Sequence, residues 1–104
     1  MEKLNVVFRV ESNGDVLAVF PSIPADYHGS MLCYAHIGQH SGCGDEYYYH
    51  GTKPATPKQY APLLNELRGI YEKGEDAVRL VPLKRRSRKD SDRFYAETRR
   101  LANI

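Results

Sequence analysis

The stretch LNVVFRVESNGDVLAVFP, residues 4–21, limits the fold more than any other part of the chain. Two runs rich in β-branched and aromatic residues flank Asn13-Gly14, a dipeptide favoured in two-residue hairpin loops because both central residues must take positive φ. Counting outward from that turn pairs Ser12 with Asp15, Val10 with Leu17, Phe8 with Val19 and Val6 with Pro21. On this register the apolar residues share one face, while Arg9 and Glu11 fall on the other.

The remaining elements follow from local signals. PSIPADYHGS, with two prolines and a glycine, is a loop. MLCYAHI alternates as a third strand, with Met31, Cys33, Ala35 and Ile37 on one side and Leu32, Tyr34 and His36 on the other. GQHSGCGDE carries three glycines and must turn or loop, and EYYYHG reads as a short fourth strand. Thr56 as N-cap, Pro57 at the first helical position and Gln59 three after the cap open the main helix. Tyr60, Leu63, Leu64, Leu67, Ile70 and Tyr71 keep the helical period, and Gly74 is placed to end it. Pro62 opposes this reading, since an interior proline removes a hydrogen bond, yet one kinked helix accounts best for the pattern. AVRLVPLK is a further strand that Pro82 assigns to an edge. Ser91 or Asp90 caps a short, mostly polar last helix bearing Phe94, Tyr95 and Leu101. The expected fold is α+β: a small antiparallel sheet with the helix around 57–73 on its Leu17/Val19 face. Residues 1–83 form this single domain, and 84–104 project as a basic C-terminal extension.

A chain of 104 residues is too short for two independent cores, and 41% hydrophobic with 27% charged residues is the composition of a globular protein. No apolar run approaches the ~20 residues that cross a bilayer, and MEKLNVVF lacks the pattern of a secretory signal. The expectation is a cytoplasmic protein without a membrane partner, whose two cysteines are reduced thiols. The net charge of +2 conceals an asymmetry. Residues 1–83 hold seven Lys/Arg and ten Asp/Glu, whereas residues 84–104 hold eight Lys/Arg and three Asp/Glu. Such a division says more about partners than about fold.

VVFRV, VLAVFP, YAHIGQH and TKPATPKQYAPLLNELRGI, in that order and at these spacings, resemble a small family of uncharacterised proteins from gut-type bacteria, phages and other mobile elements. The resemblance covers roughly residues 5–70 and is most specific in Tyr34 to His40 and, Lys53 excepted, Thr52 to Thr56. It implies an origin and, for chains of this size, a role in modulating host defence nucleases. It carries over no catalytic residue. Pro62 and the basic stretch after residue 83 depart from the family's pattern.

Three groups of residues are candidates for function. Cys33, His36, His40 and Cys43 form a C-x2-H-x3-H-x2-C array of zinc-ligand types. On a helix its ends would stand about 15 Å apart, too far for one tetrahedral ion. In a regular hairpin turning at Ile37-Gly38-Gln39, Cys33 faces Cys43 and His36 faces His40, with thiols and imidazoles on opposite faces of the ribbon. Only a bulge would unite them; a two-histidine site completed by His28, His50, Asp26 or Asp45 is the other metal reading. The bland account is hydrogen bonding by the histidines and burial of Cys33 as a small hydrophobe. Cys43, between glycines, is expected to be the more exposed thiol, and a pair with His36, His40 or His50 would make it a nucleophile.

The second group is Tyr47, Tyr48 and Tyr49, rigid rings suited to partner surfaces and to stacking on unpaired bases. The third is the basic run Lys84, Arg85, Arg86, Arg88 and Lys89, continued by Arg93, Arg99 and Arg100, an electrostatic footprint for phosphate backbones or acidic proteins. Its bland reading is a solvated terminus. No phosphate-binding glycine loop and no carboxylate pair of hydrolase type is present. The leading expectation is a non-enzymatic protein, without a cofactor, that engages nucleic acid or a host nucleoprotein through the basic and tyrosine residues. The alternatives are a small metal- or thiol-dependent enzyme and a structural protein that assembles into a homo-oligomer through its tyrosine-rich face.

Overall fold

The computed structural model describes residues 1–26, 28–35 and 39–103. In chain order the elements are β1 (Lys3–Glu11), β2 (Val16–Pro24), β3 (Met31–Ala35), β4 (Gln39–Cys43), a π-helical turn (Tyr47–Gly51), β5 (Thr52–Pro54), α1 (Pro57–Tyr71), β6 (Arg79–Leu83) and α2 (Arg88–Ala102). The class is α+β, as expected. One sheet runs β4-β3-β2-β1-β5, and β6 also pairs with β1. β5 lies against Arg9–Glu11 and β6 against Lys3–Val7, so the two share one edge of β1 end to end. All pairings are antiparallel except that of β6, which runs parallel to β1. Pro82 lies in β6, whose one partner among the described residues is β1, as an edge proline requires.

The first hairpin forms where expected but one residue out of register. Val7 pairs with Val19, Phe8 with Ala18, Arg9 with Leu17 and Val10 with Val16. The loop holds three residues rather than two: the Glu11 N–H donates to the Asp15 carbonyl at 2.8 Å and the Gly14 N–H to the Glu11 carbonyl at 2.9 Å. Gly14 takes φ +91°, the single left-handed residue that such a turn with a bulge needs. Asn13 Oδ1 accepts from the Asp15 N–H at 3.0 Å and its amide donates to Asp15 Oδ2, which fixes the turn locally. A one-residue slip exchanges the faces of one strand relative to the other.

That exchange is tolerated because both faces of the sheet are covered. Val6, Phe8, Ala18, Phe20 and Tyr34 pack with Leu63, Leu64 and Leu67 of α1. Val7, Leu17, Val19, Met31, Cys33 and Cys43 pack with Tyr48 and with Phe94 of α2. The main helix therefore lies on the Ala18/Phe20 face, and the Leu17/Val19 face expected for it belongs to α2. α1 begins as read: Thr56 Oγ1 accepts from the Gln59 N–H and the Gln59 side chain accepts from the Thr56 N–H. Pro62 is accommodated within one continuous helix. Tyr60 stacks on Phe8 at 4.4 Å, while Ile70 points to solvent.

Three further expectations are corrected. EYYYHG is a π-helical turn, not a strand; Gly51 permits it, because a methyl there would overlap the Tyr47 ring. The glycine-rich segment after His36 supplies β4, paired to β3 as Tyr34–His40 and Cys33–Ser41. The basic segment does not project. α2 is capped by Ser87, whose Oγ accepts from the Asp90 N–H, and not by Asp90 or Ser91. Asn5 of β1 donates to both carboxylate oxygens of Asp90 at 3.1 Å, and Phe94 is fully buried, so α2 is docked at its first turn and middle.

Candidate functional site

Docking fixes which side of α2 faces outward. With 100° between successive residues, Asp90, Phe94 and Leu101 fall on the sheet side. Arg88, Lys89, Arg93, Arg99 and Arg100 are all exposed. Lys89, Arg93 and Arg100 make one stripe about 16 Å long; Arg88 and Arg99 make a second beside it. Arg100 holds Glu97, with Nη2 to Oε2 at 2.9 Å. Among the described residues Lys84, Arg85, Arg88, Lys89, Arg93 and Arg99 form no ion pair. Four of these lie at or before the first turn of α2, where the positive end of the helix dipole disfavours cations. Stability does not explain that placement. Arg99 and Arg100, by contrast, sit at the helix end that favours them.

The tyrosines divide. Tyr48 is 1% exposed: its ring receives the Arg9 guanidinium at 4.5 Å and its Oη accepts from the Arg86 N–H. It is a core residue, not a surface anchor. Tyr47 is half-exposed and donates to Glu11 Oε1 at 2.6 Å; that bond pushes its phenol up to about 12. Tyr49 is 57% exposed and stands edge-on to Tyr48. Arg86 also leaves the expected surface set. Its side chain is buried, its Nη1 donates to Asp45 Oδ1 at 2.6 Å, and it lies over the rings of Phe94 and Tyr95. Burial alone would lower the guanidinium, but the bond and charge of Asp45 hold it above its ordinary value.

Two residues were missed by the sequence reading. Tyr95, 45% exposed, sits beside the Arg88/Arg99 stripe and its Oη reaches Asp45 Oδ2 at 3.3 Å. Lying one position from Phe94, it could not share the buried stripe, and that spacing was the available signal. The Arg86 guanidinium lies 6.0 Å from the Tyr95 ring, which places that exposed ring at the head of α2. Arg9 is the other, 7% exposed within the core. Its Nε donates to Thr52 Oγ1, and its Nη2 to the Tyr48 and Thr52 carbonyls. Its face within β1 is the expected one, but the π-helical turn and α2 cover that face.

The cysteine–histidine array is separated. Cys33 and Cys43 lie in the core beneath α2, and His40 lies on the α1 side, edge-on to Tyr34 and 2.8 Å from Tyr71 Oη. His36 lies outside the described residues. Parity still divides these three side chains, but Cys33 faces Ser41 and Cys43 faces Met31, so the expected Cys33–Cys43 opposition does not form; among the described residues no group of three or more His, Cys, Asp or Glu converges on a metal position. Asp26 accepts from the His28 and Ser30 N–H groups, which hold its carboxyl below the usual value. Cys43, expected to be the exposed thiol, is 2% exposed, and burial pushes it up to about 11. Burial likewise raises Cys33, whose Sγ lies 3.1 Å from Ser41 Oγ. Neither thiol has the electropositive, accessible setting that makes a nucleophile.

Among the described residues no helix is long and apolar enough to cross a membrane. No family model, curated protein or solved structure matches the chain.

Proposed function

We propose that the protein is a non-enzymatic nucleic-acid-binding protein acting through the outer face of α2, with single-stranded nucleic acid as the favoured ligand. The observation that carries this reading is the set of six cations without ion pairs at and along α2, on a chain whose first 83 residues are net acidic. Phosphates would replace the missing counterions, and released salt ions would drive association. Exposed Tyr95 beside the Arg88/Arg99 stripe, with exposed Tyr49 packed edge-on to Tyr48, adds stacking surface that suits unpaired bases. The resemblance of residues 5–70 to proteins of phages and mobile elements sets this binding in the cytoplasm of a bacterial host, where modulation of a defence nuclease or its nucleoprotein is the role proposed.

Deleting the basic segment would not test this, because Phe94 would leave the core with it. Charge reversal on the full chain does. Arg93→Glu/Arg99→Glu changes two exposed side chains and should weaken binding of a labelled single-stranded oligonucleotide at least tenfold in fluorescence anisotropy, with only the small loss of thermal stability that follows from an anion at the C-terminal end of α2. Undiminished affinity in that variant would refute the assignment.

A further inference from the structure

Where β5 and β6 meet end to end along β1, they leave a gap that opens into a cavity of about 770 Å³. Its charged lining is Arg9, Lys84, Arg85 and Arg86, with Pro57 and Ser87 at the two helix starts and no carboxylate in the wall. Lys84 and Arg85 are exposed, whereas Arg9 and the Arg86 side chain are more than nine-tenths buried. A buried cation ordinarily requires a paired anion and full hydrogen bonding. Neither arginine meets both conditions. Arg9 is held by neutral oxygens and a tyrosine ring, without a carboxylate. Arg86 has Asp45 at Nη1, but its buried Nε and Nη2 have no hydrogen-bond partner. Ser87 caps α2 just beside them, so the free N–H groups of that first turn add to the positive field.

We propose that this cavity is a binding site for a phosphate monoester group. A compact tetrahedral dianion matches this lining: the exposed Arg85 guanidinium offers paired donors to phosphate oxygens, Lys84 a point charge, and the buried Arg9 and Arg86 add to the positive field. The site shares Lys84 and Arg85 with the unpaired cations described above, but none of Arg88, Lys89, Arg93 or Arg99 lines it, so it does not depend on the outer face of α2 binding nucleic acid. The group can arrive as free phosphate or as the terminal phosphate of a strand; the chemistry recognised is the same.

Isotope-labelled full-length protein titrated with inorganic phosphate, against sodium chloride of equal ionic strength, should show saturable NMR shifts at the Arg9 Nε–H and the amides of residues 84–88. Arg85→Gln, an exposed substitution that leaves the core intact, should weaken phosphate binding about tenfold, the loss of one charge-assisted contact. Arg93→Glu/Arg99→Glu should leave it unchanged, which separates this site from the α2 face. Comparing 5′-phosphorylated and 5′-hydroxyl oligonucleotides of one sequence then identifies the source. A tenfold preference for the phosphorylated strand supports a strand terminus, and saturation by inorganic phosphate without that preference supports free phosphate. The proposal is overturned if phosphate gives no saturable shift and the two oligonucleotides bind alike.

Discussion

Arg9 stands in the middle of VVFRV, where a cation reads as the residue that faces water, yet its side chain is buried beneath Tyr48. The sequence could not show this, because Tyr48 comes from a turn read as a strand and Thr52 from β5, a short strand not read at all. Arg86 was hidden in the same way: within KRRSRK it looks like its neighbours, and only Asp45, 41 positions away, sets it apart. Cys43 shows the opposite failure, since flanking glycines suggested exposure while β3 and α2 cover the thiol. That burial has a pH signature. The folded thiol, pushed up to about 11 from an ordinary 9.0, holds its proton more tightly than the unfolded one. Cys43 therefore costs no stability below about pH 9, and stability falls as pH rises from there through about 11. Urea midpoints measured across that range should decline less in Cys43→Ala than in the parent chain, and parallel declines would contradict the burial.

At the scale of elements, signals confined to neighbouring residues were the legible ones. The capping box at Thr56–Gln59, the helix from Pro57 and the hairpin around Gly14 are each set by side chains within a few positions of one another. Register was not legible. Val6 and Val7 are equally buried, as are Leu17 through Phe20, because helices cover both faces; an apolar run then no longer marks which side is inside. α2 was misjudged because a single fully buried ring, Phe94, and the Asn5–Asp90 contact dock a helix that is otherwise polar. Pro62 remains an element-level cost. It is exposed, and its ring nitrogen cannot donate to the Lys58 carbonyl one turn earlier. Pro62→Ala should raise unfolding stability by up to about 3 kcal/mol in urea denaturation, without altering binding. A destabilised variant would mean that the ring itself is needed there.

For the whole molecule, the central feature is division of labour between the two sheet faces. The α1 face packs apolar side chains and carries none of the proposed binding residues. The other face buries Phe94 so that α2 can present Arg88, Lys89, Arg93 and Arg99 outward on a rigid support. The charge asymmetry was plain in the sequence. Its meaning was not, since whether those residues form a loose tail or a docked helix depends on contacts with β1 and β2. The most direct test is the salt dependence of single-stranded oligonucleotide affinity, compared between the parent chain and Lys89→Gln/Arg93→Gln. For single strands the logarithmic slope is about 0.7 per phosphate neutralised, so losing two contacts should reduce it by about 1.4. Binding insensitive to salt, or a slope unchanged in the double variant, would contradict the assignment of α2 as the nucleic-acid face.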